Sequence, residues 1–290
     1  MRGDSAWTGD GGFSDDYFRY YDLELGQQTF MLAHASQTLA CQLFMPRVPP
    51  SGSAVVVHGY YDHVGLYGHL IRYLLGRGLA VFSYDQQGHG LSTGTPATIG
   101  DFDDYVDALA ACLDAVADRL PQPWHLIGQS MGASVIMEYF YRPAMLPFDK
   151  AVLLAPLVRP NAWPVNRFAY YLARALRVGQ VGRGFAQNTE NPEFRELISK
   201  DPLQARVLPV RWVRAMVRWM SRFETYPRLP VRLLVVQGGR DSTVDADYSL
   251  AVINRLFDCD VLEIPEARHH LVNETQAIRE QIWRFLDTRI

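Results

Sequence analysis

Five residues constrain this chain more than any other feature. Gly128-Gln129-Ser130-Met131-Gly132 matches the pattern G-x-S-x-G. It stands between a short apolar run, Trp124–Ile127, and a segment with helical spacing, Met131–Tyr141. A serine on so sharp a strand-to-helix turn takes a strained backbone, and the residues two before and two after it must be nearly free of side chain. The turn lifts the hydroxyl above a sheet and sets it at the first turn of a helix. There the amide N–H groups and the helix dipole favour developing negative charge. Ser130 is therefore the expected nucleophile.

The rest of the chain supplies the sheet that such a turn needs. Ser53–His58, Leu79–Tyr84, Trp124–Ile127, Ala151–Leu154, Arg232–Val236 and Val261–Ile264 are short apolar runs of the kind buried on both faces. Thr29–His34 and Leu39–Met45 read as an early hairpin pair. Leu66–Leu75, Phe102–Leu120 (with Asp101 as N-cap) and Glu274–Arg289 have helical spacing. Strands alternating with helices predict the α/β class, with a mainly parallel central sheet flanked by helices. The alternation breaks once, between about Pro156 and Pro230, where only helical patterns are read. An insertion after a strand end lies at the carboxyl edge of the sheet, where such folds bind ligands. The expected organisation is thus a Gly/Asp-rich, flexible segment 1–14, a catalytic domain formed by 15–155 and 231–290, and an insertion over 156–230.

Charge separates along the same boundaries. The net charge of -3 gives no case for nucleic-acid binding. Residues 157–230 hold 13 basic and 5 acidic residues, a net of +8, whereas the remainder nets -11. Of the 28 basic residues, 26 are arginine. Cys41, Cys112 and Cys259 are odd in number and show no metal-ligand spacing. The N-terminal residues lack the apolar core of a signal peptide, and no run approaches the roughly 18 apolar residues of a membrane span. A cytoplasmic protein with free buried thiols, no metal and no cofactor is expected. No oligomeric state follows from the sequence.

A nucleophilic serine needs a base, and the base an orienting acid, in the chain order Ser, Asp, His for this architecture. Asp241 ends the run Gln237-Gly238-Gly239-Arg240-Asp241 directly after a strand. Its rivals, Asp245 and Asp247, fall in the first turn of the next helical segment. The base should follow the last strand, where Ala267-Arg268-His269-His270 offers two adjacent histidines, of which only one can reach Ser130. Two amides should hold an oxyanion: that of Met131, after the nucleophile, and that of Tyr60, in His58-Gly59-Tyr60 after an early strand. His58 and His89 read as loop architecture. His34, His63, His69 and His125 show no partner pattern and are taken as ordinary.

These residues together resemble the α/β-hydrolase superfamily, and within it the monoacylglycerol lipase and bacterial lysophospholipase branch. The matching text is His58-Gly59-Tyr60 with His63 and Tyr67, then Asp85-Gln86-Gln87-Gly88-His89-Gly90-Leu91-Ser92 and Phe102-Asp103-Asp104-Tyr105-Val106-Asp107. The Ser130 turn follows, then Gln237–Asp241, then Ala267-Arg268-His269 with Leu271, Asn273 and Glu274. The similarity runs in order over roughly residues 27–290. It implies an α/β-hydrolase fold with an inserted helical cap over the site. It also implies Ser130, Asp241 and His269 as catalytic residues, with the Tyr60 and Met131 amides as oxyanion donors. The implied substrate is a single-chain lipid ester, a lysophospholipid or a monoacylglycerol. Two departures stand out: Tyr61-Asp62 occupies the place of the branch's usual Gly-Glu, and His270 that of its usual Glu after the catalytic histidine. Another acyl hydrolase on the same fold (a thioesterase, short-chain esterase, peptidase or C–C hydrolase) shares the triad, and a non-catalytic binding protein usually loses a member of it.

In that branch the cap often supplies an apolar acyl channel, and Phe168, Tyr171, Leu172, Ala175 and Leu176 have the helical spacing to line one. Over Val210–Phe223, Arg211, Arg214, Arg218 and Arg222 fall on one narrow helical face, and the bulky apolar residues spread over the other. Trp212, Met216 and Trp219 are the candidate substrate-binding side chains. The arginine face is open to two readings: a solvated face of a helix packed on the body, or a peripheral contact with an anionic membrane surface.

Overall fold

The computed structural model describes residues 13–143, 145–184 and 187–290. Of the segment 1–14 expected to be flexible, all but two residues lie outside the described ones. Those two are built in: Phe13 stacks on Phe18 with ring centroids 5.8 Å apart. Ser14 caps a short helix α1 (Asp15–Tyr20), its side chain accepting from the Tyr17 amide at 3.3 Å.

The expected strands form one sheet. Strands β1 (Gln28–His34) and β2 (Gln37–Phe44) make the antiparallel hairpin. They are followed by β3 (Gly52–Val57), helix α2 (Gly68–Gly76), β4 (Leu79–Tyr84), α3 (Asp103–Val116), β5 (Trp124–Gln129), α4 (Met131–Tyr139) and β6 (Lys150–Leu154). The inserted segment then contributes α5 (Trp163–Ala175), β7 (Gln180–Gly182), α6 (Pro192–Lys200), β8 (Val207–Pro209) and α7 (Val210–Phe223). The chain returns to the sheet with β9 (Arg232–Gly238), α8 (Ala246–Leu256), β10 (Asp258–Ile264) and α9 (Gln276–Asp287). The order across the eight-stranded sheet is β1-β2-β4-β3-β5-β6-β9-β10, parallel from β4 to β10. β4 and β5 lie on opposite sides of β3, so the order reverses there. That is the switch point at which open α/β sheets leave a crevice at their carboxyl edge.

Period-two alternation explains why the central strands read as continuous apolar runs. In β3, Ala54 and Val56 join one core, with α2 and α9, and Val55 and Val57 the other, with α3, α4 and α8. Helix α3 starts one residue later than anticipated, with Phe102 rather than Asp101 at the N-cap. Ahead of it the Asp101 side chain accepts from the Asp103 amide at 3.3 Å, and Asp104 accepts from the Asp101 amide at 3.0 Å.

The insertion corrects the reading of helices alone, because β7 and β8 pair antiparallel within it. Strands of three residues are too short to show a period. Its two longer helices are held differently. Helix α7 is rooted in the body: the Trp219 indole N–H donates to Glu138 at 2.9 Å, and its ring stacks on Phe102 at 4.5 Å. Arg222 pairs with Asp103 at 2.5 Å and Glu138 at 2.9 Å, and the Tyr226 hydroxyl donates to Glu138 at 2.8 Å. Arg218 lies 3.8 Å from Asp101. Two of the four arginines of the α7 stripe are therefore engaged by carboxylates at the start of α3. Helix α5, by contrast, leaves Val165, Phe168 and Leu176 70%, 71% and 67% exposed. Among the described residues no helix is long and apolar enough to cross a membrane.

Candidate active site

The site is built at the carboxyl ends of β3, β5, β9 and β10. Between β5 and α4, Ser130 stands at φ 55° and ψ -118°, a strained conformation for a residue with a side chain. A Cβ on Gly132 would come within 2.0 Å of the Val57 carbonyl oxygen, and one on Gly128 within 2.6 Å of the Ala133 nitrogen. Strand and helix cross too closely for any side chain at either position. The Ser130 amide donates to Leu154 at 2.9 Å, which ties the turn to β6.

His269, after β10, places Nε2 2.9 Å from the Ser130 hydroxyl oxygen. Its Nδ1 lies 2.7 Å from Asp241 Oδ2. The carboxylate is fixed from behind. Its Oδ1 accepts from the Thr243 and Val244 amides at 2.8 and 3.1 Å, and Gln237 donates to Oδ2 at 3.1 Å. Burial opposes ionisation of Asp241. The attraction and hydrogen bond of His269, with the two amides, outweigh it and hold the carboxyl below its ordinary range. An ionised Asp241 takes the Nδ1–H and leaves Nε2 as the acceptor for the serine proton. Asp245 caps α8 through the Tyr248 amide at 3.2 Å, and Asp247 sits in that helix's first turn. His270 turns away from Ser130 and lies 3.2 Å from Asp62. Of the two adjacent histidines, His269 is the one brought to the serine.

Tyr60 lines the same cavity as Ser130, and Met131 follows the serine as the first residue of α4; outside the helices and strands, among the described residues, neither amide donates to a backbone carbonyl. His58 serves the loop as expected, with Nδ1 on the Gly59 carbonyl at 2.7 Å and Nε2 accepting from the Gln86 amide at 2.8 Å. Burial pushes its pKa down to about 3, so it is neutral there.

Ser130 and His269 open into a cavity of about 510 Å³, within the range of small-molecule sites. Trp212 and Met216 of α7 line it, with Trp163 and Tyr170 of α5. Trp219, expected among the substrate-binding side chains, lies outside the cavity, because its face of α7 is buried on Phe102 and Glu138. The apolar stripe expected to line an acyl channel also faces elsewhere. Phe168, Tyr171, Leu172 and Leu176 are exposed, and the cavity side of α5 is Trp163, Asn166, Ala169, Tyr170 and Ala173.

Three polar features escaped the sequence. His63, taken as ordinary, is fully buried with Nε2 2.9 Å from Asp201 at the end of α6, and Asp201 also accepts from the Tyr21 hydroxyl at 2.6 Å. Burial favours neutral His63, but Asp201, with Asp85 and Asp62, outweighs it and raises its pKa. Arg183 stacks on Tyr61 at 3.8 Å in the cavity wall. Asp62 meets His270. The partners in the first pair are 138 residues apart, a separation that no local pattern reveals.

Comparison with known proteins agrees with this fold. The family described as serine aminopeptidase, S33, matches residues 48–276. A monoglyceride lipase from Homo sapiens is 29% identical over 250 residues, covering 82% of this chain and 81% of that protein. A monoacylglycerol lipase from Mycolicibacterium smegmatis is 27% identical over 244 residues, covering 81% and 86%. The crystal structure of a Paleococcus ferrophilus monoacylglycerol lipase superposes with a TM-score of 0.73 at 22% identity, covering 86% of this chain and 98% of that one. The chain belongs to the serine aminopeptidase, S33, family of α/β-hydrolases, in the branch that resembles monoacylglycerol lipases.

Proposed function

We propose that this protein is a cofactor-free serine hydrolase of single-chain lipid esters, monoacylglycerols or lysophospholipids. In this reading His269 Nε2 takes the Ser130 proton as the hydroxyl oxygen attacks the ester carbonyl, and Asp241 stabilises the imidazolium. The Tyr60 and Met131 amides hold the oxyanion. The alcohol leaves with the proton from His269, and water then hydrolyses the acyl-enzyme by the same route. The observation that carries the reading is the unbroken Ser130–His269–Asp241 hydrogen-bond chain, with spacings of 2.9 and 2.7 Å, at the floor of a cavity walled by Trp212, Met216, Trp163 and Tyr170. The names of the relatives support the lipid ester class.

A peripheral contact with an anionic membrane surface belongs to the same reading, moved from α7 to α5. The α7 stripe is partly engaged by body carboxylates. Helix α5 turns Asn166, Ala169, Tyr170 and Ala173 into the cavity and exposes Val165, Phe168 and Leu176 on its other side. Residues 157–189 hold five arginines and no acidic residue; Arg159 pairs with Asp245 and Arg183 stacks on Tyr61, whereas Arg167, Arg174 and Arg177 are exposed. Such a face suits a lipid surface from which an acyl chain enters the cavity.

The test is labelling by a fluorophosphonate followed by a hydrolysis panel of monoacylglycerol, lysophospholipid, acyl-CoA and aminoacyl amide. Ser130 should label, and the first two substrates should turn over fastest. A protein that neither labels at Ser130 nor cleaves any nitrophenyl ester overturns the hydrolase reading. Faster turnover of acyl-CoA or of the amide overturns the lipid ester reading.

A further inference from the structure

We infer that Asp62 and His270 act as one positioning pair, which holds the turn bearing the Tyr60 amide against the loop bearing His269. The inference rests on the reading of Ser130 as nucleophile and of Tyr60 as oxyanion donor. Residues 59–62 form a turn closed by the Asp62 amide donating to the Gly59 carbonyl at 3.2 Å. Within it Tyr61 stands at φ 72°, in the left-handed region. A turn with a bulky residue there does not hold itself and persists only where its surroundings over-determine it.

Asp62 supplies that restraint. Its Oδ2 accepts from the Tyr67 hydroxyl at 2.8 Å, and the same hydroxyl accepts from the Gly59 amide at 2.9 Å. The carboxylate thus grips the first residue of its own turn through Tyr67. His270 Nε2 lies 3.2 Å from the same Oδ2. The tautomer follows from the other side of the ring. Asn273 presents its amide nitrogen to His270 Nδ1 at 3.3 Å and donates to the Leu66 carbonyl at 2.7 Å. Nδ1 is therefore an acceptor, and Nε2 is the ring nitrogen that faces Asp62, within ion-pair distance of Oδ2 but off the line of a hydrogen bond. The His270 amide donates to the Asn188 carbonyl of the insertion at 2.8 Å. His270 also follows His269 directly in the chain.

The pair therefore links two parts of the catalytic apparatus that come from different strands, the oxyanion turn after β3 and the histidine loop after β10. Both side chains are buried, at 6% and 3% exposure, where a lost partner is felt in full. Each belongs to one of the two departures from the lipase pattern that the chain resembles, Tyr61-Asp62 and His270, and the departures meet in space.

The test compares Asp62→Asn, His270→Leu, their double variant and His270→Gln, with kcat and KM measured on a soluble short-chain nitrophenyl ester and melting temperatures alongside. Asparagine has one oxygen for the place of Oδ2, which faces both Tyr67 and His270, and no charge to offer the ring. Glutamine keeps a donor for Asp62. A misplaced oxyanion donor costs about tenfold to a hundredfold in kcat. Asp62→Asn and His270→Leu should each lose about that much with KM little changed. The double variant should be no worse than either single one, and His270→Gln should recover most of the loss. Losses that multiply in the double variant, a raised KM with kcat intact, or a lower melting temperature with kcat intact overturn the inference. Should the wild type cleave the nitrophenyl ester but no lipid ester, the lipid reading fails and this one stands. Should Ser130→Ala retain turnover, the nucleophile reading fails first.

Discussion

Replacing Val165, Phe168 and Leu176 with glutamine isolates the outward face of α5, because these residues are 70%, 71% and 67% exposed. Full burial of such a side chain is worth about 1.5–3 kcal/mol, so covering the exposed two-thirds of each contributes roughly 1–2 kcal/mol. Three residues together give roughly 3–6 kcal/mol, or about 10² to 10⁴ in partition at about 1.4 kcal/mol per tenfold. Glutamine is a good helix former, and none of the three belongs to the buried core, so the fold should not respond. The assay is co-sedimentation with anionic phospholipid vesicles, with turnover of a soluble nitrophenyl ester as the control. The triple variant should lose partition by that factor and keep soluble-ester turnover. Exchange of Arg214 and Arg218 on α7 for glutamine should cost about 1 kcal/mol per residue at most, and less as salt rises. Unchanged partition in the triple variant refutes the α5 contact. A full loss on removing the α7 arginines instead would return the contact to that helix.

Four further outcomes are expected. Ser130→Ala should lower kcat on any ester by at least about 10⁴-fold, read in a continuous hydrolysis assay, with melting temperature unchanged. Trp212→Ala should slow long-chain esters more than short ones because it opens the cavity wall. Trp219→Ala should instead cost about 3–5 kcal/mol of stability in denaturant unfolding, as a fully buried indole leaves a void and strips Glu138 of a donor. The His63–Asp201 pair should stabilise the fold most between the ordinary carboxylate and histidine pKa values, about pH 4 to 6.5. The raised His63 pKa contributes below the ordinary histidine value and is lost as pH rises past the folded one. The lowered Asp201 pKa contributes above the ordinary carboxylate value and is lost as pH falls. The gap in melting temperature between wild type and Asp201→Asn, followed over pH, should therefore peak in that window, and a flat gap would contradict the assignment.

Residues whose places are enforced by the backbone were legible in the sequence. Ser130, Gly128 and Gly132 are dictated by the crossing of β5 and α4, where a Cβ has no room. Asp241 and the histidine pair 269–270 follow because loops after parallel strands converge on one edge, and the resemblance implied His269 of the two. The strands of the sheet were legible because burial on both faces leaves an unbroken apolar run, as in Ser53–Val57. Features that depend on which face of a helix meets which neighbour were not legible. The apolar stripe of α5 and the indole of Trp219 have the same periodicity whether they line a cavity, pack on the body or face outward. Only the packing of α7 on Phe102 and of α5 over the cavity decides among those. The pairs His63–Asp201 and Asp62–His270 lay beyond reach for a different reason. Each joins side chains from distant segments, and the motif positions of His63, Asp62 and His270 do not say which partner each one meets.

The charge imbalance can now be resolved by position. A net of +8 in residues 157–230 would suggest a single basic surface, yet its arginines divide between two tasks. On α7, Arg222 and Arg218 meet Asp103, Glu138 and Asp101, carboxylates of the acidic body. On and around α5 no acidic residue lies within 157–189 to answer Arg167, Arg174 and Arg177, and these are exposed. The engaged half matters for the cavity because Trp212 and Met216 sit on the same helix as Trp219 and Arg222. A change at Glu138, buried beneath α7 at 4% exposure, removes the acceptor shared by Trp219, Arg222 and Tyr226 and loosens the helix that carries the cavity wall. Glu138→Gln can still accept from the indole but has no charge to offer the guanidinium. Its effect on long-chain turnover should exceed its effect on short esters, because the triad, on the sheet's own loops, does not move with α7.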